Sequence, residues 1–175
     1  MSKKLFFILV SFLTLVACGK PAVESTIEVK ESIEIKAPAS KVWALVGNYG
    51  DLGAWHPAFA KTEITGGENN VVGAKRLLTI KDGGTVNETL TALDNNAMSM
   101  TYIITESVLP LRDYTATLKV DAMGDDKCVV TWSSNFKRKD PNDPPKAGED
   151  DKTARDLITT VFKDGLGNLK QISEK

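Results

Sequence analysis

The 175-residue chain balances 22 Lys and Arg against 23 Asp and Glu and carries one His and two Cys. That near-neutral balance gives no basic footprint for nucleic acid. One His and two Cys cannot supply a His/Cys metal cluster, and no carboxylates follow a calcium-loop spacing.

The chain opens with Lys3 and Lys4 ahead of an apolar run from Leu5 to Phe12, closing on Leu15-Val16-Ala17-Cys18. A charged start, an apolar stretch and small residues before a cut mark a secretory signal. The run is short of the about 20 apolar residues a membrane span needs. Ending on Cys18 after Leu-Val-Ala, the leader resembles a bacterial lipoprotein signal. The resemblance implies removal of residues 1–17, acylation of Cys18 with diacylglycerol and palmitate, and a tether over 18–25. Gly19, in place of the Asp that would retain the protein at the inner membrane, favours the outer membrane and a domain facing the periplasm. Without the leader the basic count falls to 20 against 23 acids, a net charge near −3. An acylated Cys18 leaves Cys128 as the one free thiol, so no internal disulfide holds the exported domain together. Cys128 lies in the strand-like Cys128-Val129-Val130-Thr131-Trp132, which reads as core packing ahead of a reactive thiol.

From Thr26 to Ile35, apolar residues at 27, 29, 33 and 35 alternate with charges, which predicts a half-buried strand. Ala37-Pro38-Ala39-Ser40 ends it, and Pro38 suits the first turn of a helix carrying Val42, Trp43, Leu45 and Val46. Gly47 to Gly53 interrupts, and Leu52, Trp55 and Phe59 around Pro57 suggest a second short helix or turn. Strand-period segments follow at 60–65, 73–81, 85–94, 98–106, 112–121 and 127–138. They are separated by Gly66-Gly67, Asp82-Gly83-Gly84, Asp94-Asn95-Asn96, Leu109-Pro110 and Gly124-Asp125-Asp126, the turn chemistry of an antiparallel meander. Residues 139–150, rich in Pro, Asp and Lys, read as a solvated loop.

Asp150 and Asp151 mark a helix start. Ala154, Leu157, Ile158, Val161, Phe162, Leu166, Leu169 and Ile172 then form an apolar stripe at helical spacing. Gly165 and Gly167 weaken that helix by about 1 kcal/mol each relative to Ala, and suggest close approach or a bend. The expected architecture is α+β in one domain, residues 26–175. A curved seven-stranded antiparallel sheet grips a long C-terminal helix, with one or two short helices after the first strand, because that helix alone is long enough to cover the sheet.

The pieces Ala39-Ser40-Lys41-Val42-Trp43, Trp55-His56-Pro57, Glu88-Thr89-Leu90, Arg112-Asp113-Tyr114, Trp132-Ser133-Ser134-Asn135-Phe136 and Phe162-Lys163-Asp164-Gly165-Leu166 carry a family resemblance. Over residues 26–173 the chain resembles the polyketide cyclase/dehydrase-like branch of the START-related superfamily, SRPBCC. The resemblance implies a helix-grip fold with a cavity between sheet and helix. It leaves the reaction open, since members include carriers, hormone receptors and aromatase/cyclases.

Strand parity puts Val86, Glu88, Leu90 and Ala92 on one apolar face. Glu88 is therefore a buried carboxylate, which needs a partner and whose pKa burial raises. It is read either as a ligand contact, as the resemblance to plant hormone receptors with a Glu at this position implies, or as a salt-bridged structural group. Tyr102 and Tyr114 share the apolar parity of their strands and offer hydroxyls to a cavity. Arg76 has the parity to balance Glu88, but an arginine there is expected to snorkel to the rim. His56 resembles a gate segment and is a candidate acid–base group or a turn-fixing hydrogen-bonder. Trp55 and Phe162 are the core aromatics placed to touch a ligand.

No G-x-S-x-G elbow occurs, a Ser-His-Asp triad would need His56, and Gly165-Leu166-Gly167 lacks a dinucleotide context. The leading expectation is a membrane-tethered binder of a small apolar or amphipathic ligand, with no cofactor and no metal. The alternatives are an accessory protein of an envelope complex with an exposed apolar patch near 51–59 or 107–111, or a cyclase/dehydratase-type enzyme using Glu88 or His56 as base.

Overall fold

The computed structural model describes residues 25–175; the leader, Cys18 and all but the last residue of the tether lie outside the described residues. Nine elements and one 3-10 helix follow in the expected order. They are β1 (Ile27–Ile35), α1 (Ala39–Val46), the 3-10 helix (Tyr49–Ala54), β2 (Phe59–Gly66), β3 (Lys75–Ile80), β4 (Thr85–Asp94), β5 (Ser99–Ser107), β6 (Leu111–Ala122), β7 (Cys128–Arg138) and α2 (Asp151–Ser173). The sheet is antiparallel throughout with order β1-β7-β6-β5-β4-β3-β2. Five hairpins build β2 to β7, and β1 closes on β7, so α1 and the 3-10 helix carry the chain from one sheet edge to the other.

One face of each strand feeds the core. Leu78, Val86, Leu90, Met100, Tyr102, Ala116, Leu118, Val130, Trp132 and Phe136 are buried against Ile158, Phe162, Leu166 and Leu169 of α2. Cys128 is fully buried, and burial pushes its thiol pKa up, which leaves it protonated and unreactive. Asp150 caps α2, accepting from the Thr153 backbone N–H at 2.9 Å.

Two features go beyond the linear pattern. α2 also runs along β1, an edge strand with unpaired backbone groups. Arg155 donates to the Glu28 carbonyl and Lys170 to the Glu34 carbonyl, each at 2.7 Å. Fifteen helical residues and six strand residues both span about 20 Å, so the two cations meet the two carbonyls and blunt the edge. The segment 139–150 is more than a solvated loop. Asp140 is buried, and its carboxylate accepts from the backbone N–H groups of Asn142 and Lys146 at 3.0 and 2.8 Å. Those bonds hold its pKa below the usual carboxylate range. Among the described residues no helix is long and apolar enough to cross a membrane.

Candidate functional site

A cavity of about 270 Å³ lies between the sheet and α2. Phe59, Val86, Tyr102, Ile104, Tyr114 and Trp132 come from the sheet, Leu157, Ile158, Val161 and Phe162 from α2, and Leu52, Ala58 and Leu109 from the connections. Glu88, Asp82 and Asp164 complete the polar part of the wall with Thr160. The walls are thus mainly apolar, with a few convergent polar groups, the composition expected of a ligand site.

Glu88 faces the interior, 5 % exposed, and Arg76 is buried beside it at 3 %. The register opposes Arg76 to Glu88 across β3 and β4. The guanidinium grips Oε2 through Nε and Nη2, both at 2.6 Å, while Nη1 donates to the Tyr49 carbonyl at 2.6 Å. The Tyr49 and Tyr102 rings lie 4.1 and 5.0 Å from the guanidinium carbon, within cation–π range. Arg76 therefore does not snorkel to the rim. The reason is the 3-10 helix, which packs on β2 and whose Tyr49 supplies both a ring and a carbonyl to Arg76. Burial pulls the Arg76 pKa down, but the charge of Glu88 overcomes this and holds it above its ordinary value. Burial raises the Glu88 carboxyl against the pull of Arg76. A guanidinium that cannot lose its proton, with two short charge-assisted contacts, makes this an ion pair.

Tyr102 and Tyr114 are both buried, with ring centroids 6.5 Å apart. The Tyr102 hydroxyl accepts from Trp132 Nε1 at 2.9 Å. Burial first, then neighbouring charge or hydroxyl, raises both phenol pKa values, so both are protonated donors at neutral pH. Phe162 stacks on Trp132 with centroids 4.3 Å apart and planes 11° from parallel. The structure thus brings Glu88, Tyr102, Tyr114 and Phe162 to one cavity.

His56 and Trp55 are elsewhere. His56 is 1 % exposed. Its Nε2 donates to the Val161 carbonyl at 2.9 Å and its Nδ1 accepts from the Ala58 N–H at 3.2 Å. That pattern uses both nitrogens of one neutral tautomer, and burial lowers the pKa from 6.5 to about 4. Gly165 makes the contact geometrically available. A Cβ there would lie 2.5 Å from His56 Cδ2 and 2.7 Å from Nε2. Gly167 has no such neighbour. Asn168 Nδ2 also donates to the Trp55 carbonyl at 2.8 Å, so residues 55–58 are pinned to α2 twice. Trp55 is 2 % exposed, packs 5.4 Å from the Trp132 centroid, and does not line the cavity.

A second, open cleft of about 570 Å³ was not anticipated. β5 pairs with β6 only from Ser99↔Lys119 to Ile103↔Thr115. Beyond that point Ile104 to Ser107 follow β4, whereas Leu111 and Arg112 follow β7. The strands separate at an irregularity between Arg112 and Thr115, where Asp113 has φ 53°. Ile104 and Tyr114 line both this cleft and the inner cavity. The run Arg112-Asp113-Tyr114 was a visible signal, but its bulge was not.

The sequence model of the family "Polyketide cyclase / dehydrase and lipid transport" matches residues 26–174. The chain belongs to this family. Among solved structures, the protein XoxI from Bacillus cereus superposes with a TM-score of 0.72 at 27% identity, covering 83% of this chain and 94% of that one. The Zhui aromatase/cyclase from Streptomyces sp. R1128 gives 0.69 at 15% identity over 86% and 94%. Norcoclaurine synthase from Thalictrum flavum gives 0.62 at 22% identity over 91% and 95%. The last two likenesses concern the fold. These proteins are almost wholly covered by the helix-grip domain. Residues 25–175 enclose a hydrophobic core of their own, as an independently folding domain requires. Sequence reasoning reached the family and the cavity wall; it missed the 3-10 helix as the partner of Arg76.

Proposed function

We propose that this family member is a binding protein for a small apolar or amphipathic molecule, held close to a membrane by a lipid on Cys18. The observation that carries the binding reading is the cavity itself, whose apolar wall converges on Tyr102, Tyr114 and Glu88. Apolar burial supplies affinity, and the Tyr102 hydroxyl, which accepts from Trp132 and Tyr114, keeps its own proton to fix orientation. Ligand cavities run from about 300 to 1,000 Å³. At about 270 Å³ this one suits a molecule of one or two rings, or a short chain, in preference to a two-chain lipid. Both short contacts from Arg76 hold Glu88 Oε2, which fixes the carboxylate in the cavity wall as one half of an ion pair. His56 has both nitrogens engaged, which argues against it as a general base.

The test is native mass spectrometry of residues 19–175 isolated gently from the producing cells, beside the variant Ile104→Trp, which fills the cavity. The binding reading expects an added small-molecule mass in the wild-type domain and its loss in the variant. An apo mass in both, with no mass gained from a panel of short-chain and aromatic compounds, overturns it. The lipid anchor and a periplasm-facing site at the outer membrane are supported by the leader and by Gly19 alone.

A further inference from the structure

Within the binding reading just given, we infer that the cavity selects a compact amine: an apolar or aromatic body inside, with its protonated ammonium at the mouth beside Asp82 and Asp164, and that it discriminates against the matching carboxylate. Three carboxylates, Asp82, Glu88 and Asp164, line the cavity, and no Lys, Arg or His does. The buried cation Arg76 stands beside Glu88 on the neighbouring strand and is not one of the wall residues; it donates to Glu88 and to the Tyr49 carbonyl. Asp82 and Asp164 are exposed, as is Thr160, so this part of the wall is the rim that meets solvent. Lys81 and Lys163 adjoin the two aspartates in sequence but not in the wall, and Lys163 lies 3.8 Å from Glu31.

The two ends of a ligand therefore meet different conditions. A carboxylate entering such a cavity leaves water and finds no cation, and an unpaired charge in an apolar site is strongly disfavoured. An ammonium left at the rim keeps part of its hydration and gains the attraction of the rim carboxylates, which salt weakens. The interior field has the same sign: after burial, the raised phenol pKa of Tyr114 owes part of its rise to the Glu88 charge. Arg76 opposes that charge where it reaches the wall, 5.0 Å from the Tyr102 ring, but at Tyr102 the charge of Glu88 acts more strongly.

Three probes that share one body separate the possibilities: 4-phenylbutylamine, 4-phenylbutanol and 4-phenylbutyrate, titrated into the domain of residues 19–175 at low salt. Binding is followed by calorimetry and by fluorescence of Trp132, which lines the wall. The amine is expected to bind at least about tenfold more tightly than the carboxylate, with the alcohol between them and the gap narrowing in 1 M salt. The double variant Asp82→Asn/Asp164→Asn should bring the amine down to the affinity of the alcohol. Both aspartates are exposed, and Asp164 acts on buried His56 through its charge alone, so the double variant is expected to keep the fold. Equal or tighter binding of the carboxylate, or an amine affinity unmoved in the double variant, overturns the inference while leaving the cavity reading intact. Failure of all three probes, the alcohol included, overturns both.

Discussion

His56 was a candidate gate or acid–base residue because it is the one histidine and precedes Pro57. Its surroundings give it another task. With a pKa lowered from 6.5 to about 4 by burial, it binds a proton more readily in the unfolded chain than in the folded one. Its stabilising contribution is whole above about pH 6.5 and is lost as pH falls from there toward 4. At 1.36 kcal/mol per pKa unit the loss reaches about 3 kcal/mol. Urea midpoints measured from pH 7 to 4 should show this decline. His56→Gln, whose amide can still donate to Val161 and accept from Ala58, should lack that component. Gly165→Ala tests the same contact from the helix side. The methyl would gain about 1 kcal/mol of helix propensity. It would also collide with the imidazole at 2.5 Å, and overpacking of this kind costs about 1–3 kcal/mol. The expected outcome is a less stable variant, read from the denaturation midpoint. A gain in stability would mean that the imidazole moves aside freely.

At the scale of elements, the β3–β4 pairing carries one buried ion pair whose value is measured by breaking it two ways. Arg76→Met leaves Glu88 charged and buried, and should cost about 3–5 kcal/mol. The double change Arg76→Met/Glu88→Leu removes both charges and should recover most of that loss in urea titrations. A double variant no better than the single one would show that the hydrogen bond to Tyr49 and the two ring contacts carry the stability instead. The separation of β5 from β6 makes a different expectation. Backbone amides of 104–107 and 111–114 should exchange with solvent faster than those of 99–103 and 115–119, which sit in the paired part of the same hairpin. Hydrogen exchange followed by mass spectrometry resolves these segments. Uniform protection along the hairpin would mean that the cleft is closed in solution. Strand periodicity located both strands to within a residue or two. It was silent on the bulge, because an irregularity between Arg112 and Thr115 changes pairing without changing the hydrophobic pattern much.

For the molecule as a whole, the leader and the domain make separate statements. If Cys18 is acylated, cells grown with labelled palmitate should incorporate label into the protein, and Cys18→Ser should abolish it and release the domain from the membrane fraction. Label in the Cys18→Ser variant would place the modification elsewhere or show that the leader is of the ordinary secretory kind. The sequence by itself determined the element order, the antiparallel meander, the capping of α2 and the family. Alternation, turn residues and helix signals act over a few neighbouring positions, so they are written locally. It also put Glu88, Tyr102 and Tyr114 on inward faces, since side-chain direction in a strand follows parity. Only the tertiary structure decided that Arg76 is buried on Glu88, that His56 is locked to α2, and that acids alone supply the charge in the cavity wall. Each depends on partners far apart in the chain: Tyr49 for Arg76, 27 positions away, and Val161 for His56, 105 positions away. The electrostatic environment of a buried group is set by which distant atoms replace its water, and no local pattern records that choice.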